Sequence, residues 1–122
     1  MAKKVIIVDD SLYMRTFIKD ILTNGKYEVI GQASSGETAI DMIFSLKPEL
    51  VTLDNILPDM LGIDILKAIR AEKLATKVIM ISAVGQQSVL EEAMQAGANA
   101  YITKPFTSEK LLEVVKKTIG NP

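Results

Sequence analysis

Val5-Ile6-Ile7-Val8, followed at once by Asp9-Asp10-Ser11, decides how the rest of the chain reads. Four consecutive apolar, β-branched residues suit a strand buried on both faces, as strands of parallel sheets are. The two acids stop the run, and Ser11 stands where a helix cap belongs. Met14, Phe17, Ile18, Ile21 and Leu22 then recur at helical spacing until Asn24-Gly25 ends the pattern. A buried strand, a polar turn and an amphipathic helix make one βα unit.

The unit repeats along the chain. Tyr27 to Ala33 reads as a second strand; Ser34-Ser35-Gly36-Glu37 opens a helix with Ala39, Ile40, Ile43 and Leu46 inward, and Pro48 ends it. Leu50-Val51-Thr52-Leu53 is a third strand, short and apolar, that runs into Asp54. After the loop from Pro58 to Gly62, Ile65, Leu66 and Ile69 mark the third helix. Lys77 to Ile81 predicts a fourth strand, and Ser88 to Ala96 a helix with Val89, Leu90, Ala93 and Met94 inward, stopped by Gly97. Ala100-Tyr101-Ile102 is a brief fifth strand, after which Thr107 caps a helix carrying Leu111, Leu112, Val115 and Ile119. This alternation predicts an α/β fold, a doubly wound parallel sheet, because right-handed crossovers lay helices on both of its faces.

Composition narrows the chemistry. A chain of 122 residues is expected to form a single domain over 1–122, with no second core for an output domain. It contains no Cys, which rules out disulfides, thiolate metal sites and cysteine nucleophiles. It contains no His either, so carboxylates are the natural metal ligands. A net charge of −1 without a basic stripe argues against a nucleic-acid partner. The apolar run at Val5 to Val8 is too short for a signal-peptide core or a membrane span, so a cytoplasmic location without membrane insertion is expected.

In such sheets ligands gather beyond the carboxyl ends of the strands, where strand order reverses. The residues found there are Asp9 and Asp10 after the first strand, Asp54 after the third, Ser82 after the fourth and Lys104-Pro105 after the fifth. Taken singly each is an ordinary turn, cap or surface residue. If the first and third strands are neighbours, three carboxylates converge on one crevice, facing a hydroxyl and an ammonium. Carboxylates so placed repel and push at least one pKa up. A hard divalent cation relieves this, and Mg²⁺ is usually held by one or two carboxylates together with phosphate oxygens. Lys104 and Ser82 are the groups to hold those oxygens.

These residues resemble the receiver domains of two-component response regulators, and closely the single-domain chemotaxis (CheY) type. The resemblance spans essentially the whole chain and rests on Val8-Asp9-Asp10-Ser11, Asp54 with Leu57-Pro58 and Gly62, Ser82-Ala83, Gly97-Ala98 and Lys104-Pro105-Phe106. It implies a flavodoxin-like sheet of order 2-1-3-4-5, which periodicity alone does not supply. It also implies that Asp54 accepts a phosphoryl group from a phosphohistidine of a sensor histidine kinase. Asp10 and Asp54 would then ligate Mg²⁺ directly, Asp9 through water, and Ile56 by its backbone carbonyl. Ser82 and Lys104 would hold the phosphoryl oxygens, with a cis Lys104-Pro105 bond turning the lysine inward. Ser82 and Tyr101 would act as switch residues, biasing a face over the fourth helix, fifth strand and fifth helix. Gly85-Gln86-Gln87-Ser88 lies on that expected partner face. The resemblance implies an output protein as partner, a flagellar motor switch protein first among them, and a phosphatase that ends the signal.

Two features depart from that pattern. Ile56 and Val84 are apolar where some relatives carry polar groups, and are expected to crowd out the attacking water and lengthen the phosphoryl lifetime. Leu61 precedes Gly62 where an acidic or small polar residue is common, and has no functional reading. A standalone receiver in another phosphorelay fits nearly as well as chemotaxis. A Mg²⁺-dependent phosphatase passing through an aspartyl phosphate is a different class. It usually carries a second acid two residues after the nucleophile, where this chain has Ile56. A flavodoxin-like cofactor binder would need a phosphate-cradling loop after the first strand, and Asp9-Asp10 would repel a phosphate there unless a metal intervened.

Overall fold

The computed structural model describes residues 2–83 and 85–122. The strands are β1 (Lys4–Val8), β2 (Glu28–Ala33), β3 (Leu50–Asp54), β4 (Lys77–Ala83) and β5 (Ala100–Lys104). The helices between and after them are α1 (Leu12–Asn24), α2 (Gly36–Leu46), α3 (Gly62–Ala71), α4 (Gln87–Gln95) and α5 (Ser108–Ile119). All strand pairs are parallel and the order is β2-β1-β3-β4-β5. The doubly wound architecture and the strand order implied by the resemblance are therefore as expected.

Alternation along β1 divides the core. Val5 and Ile7 face α1 and α5, meeting Ile18, Leu22, Leu111 and Val115. Ile6 and Val8 face the other way, toward Ile43 of α2 and Ile65 and Leu66 of α3. A strand buried on both faces has little place for polar side chains, which is why β1 from Val5 reads as an unbroken apolar run and β3 before Asp54 as one interrupted only by Thr52.

Helix starts follow the capping residues. Ser11 accepts from the Met14 N–H, Ser35 from Thr38 and Thr107 from Lys110, each satisfying an N–H that the helix itself leaves open. Leu61, before α3, has no side-chain acceptor. Asp64 instead reaches back toward the Leu61 N–H at 3.4 Å.

Four expectations need correction. Strand β4 extends to Ala83 and β5 to Lys104, because the ladder continues through Ser82↔Thr103 and Ala83↔Lys104 after the apolar pattern has stopped. Met94 and Leu46, expected inward, are 40% and 48% exposed; each lies in the last turn of its helix, beyond the packed face. The buried residues of the inner faces are Ala39 and Ile43 in α2, with Ile40 half-buried against the same core as expected, and Leu90 and Ala93 in α4.

The end of α5 is fastened at the sheet edge opposite the carboxyl ends. The Tyr27 hydroxyl donates to the Gly120 carbonyl at 2.7 Å, and the Lys3 ammonium donates to the carbonyl of Ile119. Among the described residues no helix is long and apolar enough to cross a membrane.

Candidate functional site

The reversal of strand order between β1 and β3 sets their carboxyl ends side by side, with Val8 paired to Leu53. The next residue of each strand is an aspartate, so Asp9, Asp10 and Asp54 each offer an oxygen within 4.8 Å of the others. Lys104, at the end of β5, reaches across β4 into the same crevice. Its Nζ lies 3.0 Å from Asp9 and 3.6 Å from Asp54. The peptide bond that follows it, Lys104-Pro105, is cis, as the resemblance implied.

Asp9 is fully buried and both of its oxygens are engaged: Oδ1 accepts from the Ser11 N–H at 2.9 Å and Oδ2 from Lys104. Asp10 is exposed at the mouth. Asp54 lies between these extremes, and its pKa is raised above the ordinary carboxylate value. Burial is the main cause, and the Asp9 charge adds to it; Lys104 and the Ile56 N–H pull the other way, while Asp10 raises it slightly. Excess negative charge among hard oxygen donors is the condition that a small divalent cation relieves, so this donor set fits Mg²⁺.

Ser82 is buried on β4, one residue before Ala83, which pairs with Lys104, and its hydroxyl has no hydrogen-bond partner among the described residues. Thr52, two residues before Asp54, carries a second buried hydroxyl without a partner among the described residues. Ile56 brings its backbone to Asp54 while its side chain is 55% exposed. Val84 lies outside the described residues. Tyr101 sits apart from the crevice on the outer side of β5, 42% exposed. Gln86 and Gln87 stand at the start of α4 without a side-chain cap bond.

Sequence reasoning passed over three residues that shape the crevice. The Arg15 guanidinium donates to the Asp9 backbone carbonyl at 2.7 Å, bracing the turn after β1. Asn55 is buried; its carbonyl accepts from the Gly62 N–H at 2.6 Å and its Oδ1 from the Ile63 N–H at 3.3 Å. Asp59 accepts from Gly36 and Glu37, at the start of α2. An Asn directly after an acid that ends an apolar strand was the available signal for Asn55. Arg15 and Asp59 bond to backbone groups and left none.

Residues 5–116 match the family model for the response regulator receiver domain. The chain belongs to that family. As a receiver it takes its place among the response regulators of two-component signalling. It is similar to the chemotaxis protein CheY of Bacillus subtilis, 43% identical over 120 residues that span 98% of this chain and 100% of the relative. It is 44% identical to the chemotaxis protein CheY of Thermotoga maritima, over 96% of this chain and 98% of the relative. A CheY-like receiver domain protein from Methanospirillum hungatei superposes with a TM-score of 0.91 at 30% identity, covering 98% of this receiver and 94% of that chain. The CheX-CheY-BeF3-Mg²⁺ complex from Borrelia burgdorferi contains a chain that superposes with a TM-score of 0.90 at 32% identity, over 94% of this receiver and 87% of that chain.

Proposed function

We propose that Asp54 accepts a phosphoryl group from a phosphohistidine of a sensor histidine kinase, and that the change in charge alters a protein-binding face. The observation that carries this is the setting of Asp54, which shares a crevice with Asp9 and Asp10 and lies 3.6 Å from Lys104. An Asp54 oxygen attacks phosphorus, the P–N bond to imidazole breaks as the O–P bond forms, and the imidazole nitrogen leaves with its electron pair. Positioning and neutralisation of charge do most of the work in such transfers.

Mg²⁺ is the proposed cofactor, held by Asp10, Asp54 and the Ile56 carbonyl with Asp9 through water, and when bound it would neutralise the carboxylates and the phosphoryl oxygens. That both Asp9 oxygens are already engaged supports its indirect role. The Lys104 ammonium orients the incoming oxygens, and the unpartnered Ser82 hydroxyl donates to one of them. Ser82 then leaves space into which Tyr101 turns, resetting the face formed by α4, β5 and α5. The domain catalyses only its own phosphorylation and dephosphorylation.

Likeness to two chemotaxis proteins over nearly their full length supports a chemotaxis pathway in the cytoplasm, with a flagellar motor switch protein as output and a phosphatase to end the signal. Ile56, exposed at the mouth, hinders the attacking water; Ile56→Asn is expected to speed loss of the phosphoryl group. Intact mass after incubation with acetyl phosphate and Mg²⁺, beside Asp54→Asn, tests the central reading. One added phosphoryl group that needs Mg²⁺ and is absent from the variant supports it. No adduct, with a beryllium fluoride complex also failing to bind, overturns it.

A further inference from the structure

An aspartate that follows a proline in a turn is ordinarily a solvated turn former. Asp59 does more. Its Oδ1 accepts from the Gly36 N–H at 2.7 Å and its Oδ2 from the Glu37 N–H at 3.0 Å, the first two N–H groups of α2. Ser35 takes the next, that of Thr38, so α2 is capped partly from its own chain and partly from the loop after β3. The arrangement matches a carboxylate to the positive end of a helix dipole, and it holds the Asp59 pKa below the usual range.

The loop that carries Asp59 is closed on itself. The Gly62 N–H donates to Asn55 at its base, Leu57 N–H to Met60 at its tip, and Ile56 bridges Leu61 between them. Among the described residues Asp59 is the hydrogen-bonded tie from this small closed loop to the neighbouring βα unit, beside the packing of Met60 on Gly36. A few residues away, the Ile56 N–H faces the Asp54 carboxylate. A loop so closed transmits its anchorage: freeing the tip lets the Ile56 peptide shift against Asp54.

We infer that Asp59 is a positioning residue for phosphoryl acceptance, which, by pinning the β3–α3 loop to the N-terminus of α2, holds the Ile56 peptide in place beside Asp54. The inference rests on the reading of Asp54 as the acceptor. Asp59 itself touches neither donor nor cation.

The test compares wild type, Asp59→Ala and Asp59→Asn, the last retaining one acceptor oxygen. Amide hydrogen exchange is measured by NMR without Mg²⁺, and phosphorylation by intact mass with saturating acetyl phosphate and Mg²⁺. In Asp59→Ala the Ile56 amide is expected to exchange about tenfold faster while amides of β1 and β3 keep their protection, and phosphorylation to slow by about three- to tenfold. Asp59→Asn should fall between the two on both readouts. Wild-type exchange at Ile56, a uniform rise in exchange across the domain, or an unchanged phosphorylation rate in Asp59→Ala would each overturn the inference. If wild type takes no phosphoryl group, the acceptor reading fails and this inference with it. The exchange arm then still reports whether Asp59 holds the Ile56 peptide.

Discussion

Lys104 Nζ lies 3.0 Å from the Asp9 carboxylate, closer than the 3.6 Å that separates it from Asp54. In this state the ammonium serves as counter-charge to a buried acid and must turn from it to meet a phosphoryl group. Lys104→Met therefore leaves the acidic cluster without its internal cation. The metal-free variant is expected to melt at a lower temperature than wild type. Its affinity for Mg²⁺ should rise by about three- to tenfold, since a competing charge a few ångströms away is gone. Calorimetric titration reads this; equal affinities would show that Lys104 and the cation do not compete.

Burial and the Asp9 charge raise the pKa of Asp54. An acid whose folded pKa lies above its unfolded value, about 3.9, weakens the fold when it ionises. The penalty is absent below the unfolded pKa and complete above the folded one. Without metal, Asp54→Asn should thus be more stable than wild type at neutral pH. The gap should close as pH falls toward 4 or so. Urea unfolding in chelator between these limits checks both sign and window, and added Mg²⁺ should favour wild type.

The buried hydroxyls of Thr52 and Ser82 both lack partners among the described residues. Replacing a buried unsatisfied group by an apolar one of similar shape recovers its desolvation cost, about 1 kcal/mol or more. Thr52→Val and Ser82→Ala should therefore both raise the midpoint of urea unfolding. Only Ser82→Ala should also slow phosphorylation by acetyl phosphate. Equal phosphorylation in the two variants would remove Ser82 from the site.

Gly62 and Gly36 test what the loop after β3 packs against. A Cβ at Gly62 would meet backbone, the Asp54 carbonyl and the Asn55 Cα, whereas one at Gly36 would meet only the flexible side chain of Met60. Gly62→Ala should cost roughly 1–3 kcal/mol, in the range of overpacking, and impair phosphorylation. Gly36→Ala should cost less, because the thioether can swing aside. A reversal of that order in thermal unfolding would contradict the packing described.

Much of this was legible in sequence because two-sided burial writes itself into strands β1 and β3. The aspartates at their ends were legible for the same reason: the first charge after an uncharged buried run marks a strand's carboxyl end. The extensions of β4 through Ser82 and of β5 through Lys104 were not. Backbone ladders continue without regard to side-chain polarity, and hydropathy is blind to them. Met94 and Leu46 misled because helical spacing reports direction, while exposure in a last turn depends on where the neighbouring element stops. Arg15 and Asp59 spend their charge on backbone groups, which carry no residue identity to be read.

The fastening of α5 by Lys3 and Tyr27 has a mechanical side. The helix is tethered at its far end and begins, at its near end, just beyond Lys104-Pro105. A tug on Lys104 is then felt at one end alone, so α5 swings about a pivot rather than sliding. Twelve residues make a lever of about 18 Å, on which 1 Å of travel is a swing of about 3°. The groove between α4 and α5, edged by Met94, Tyr101, Lys110 and Lys117, would gape like a wedge toward the crevice and stay shut at the hinge.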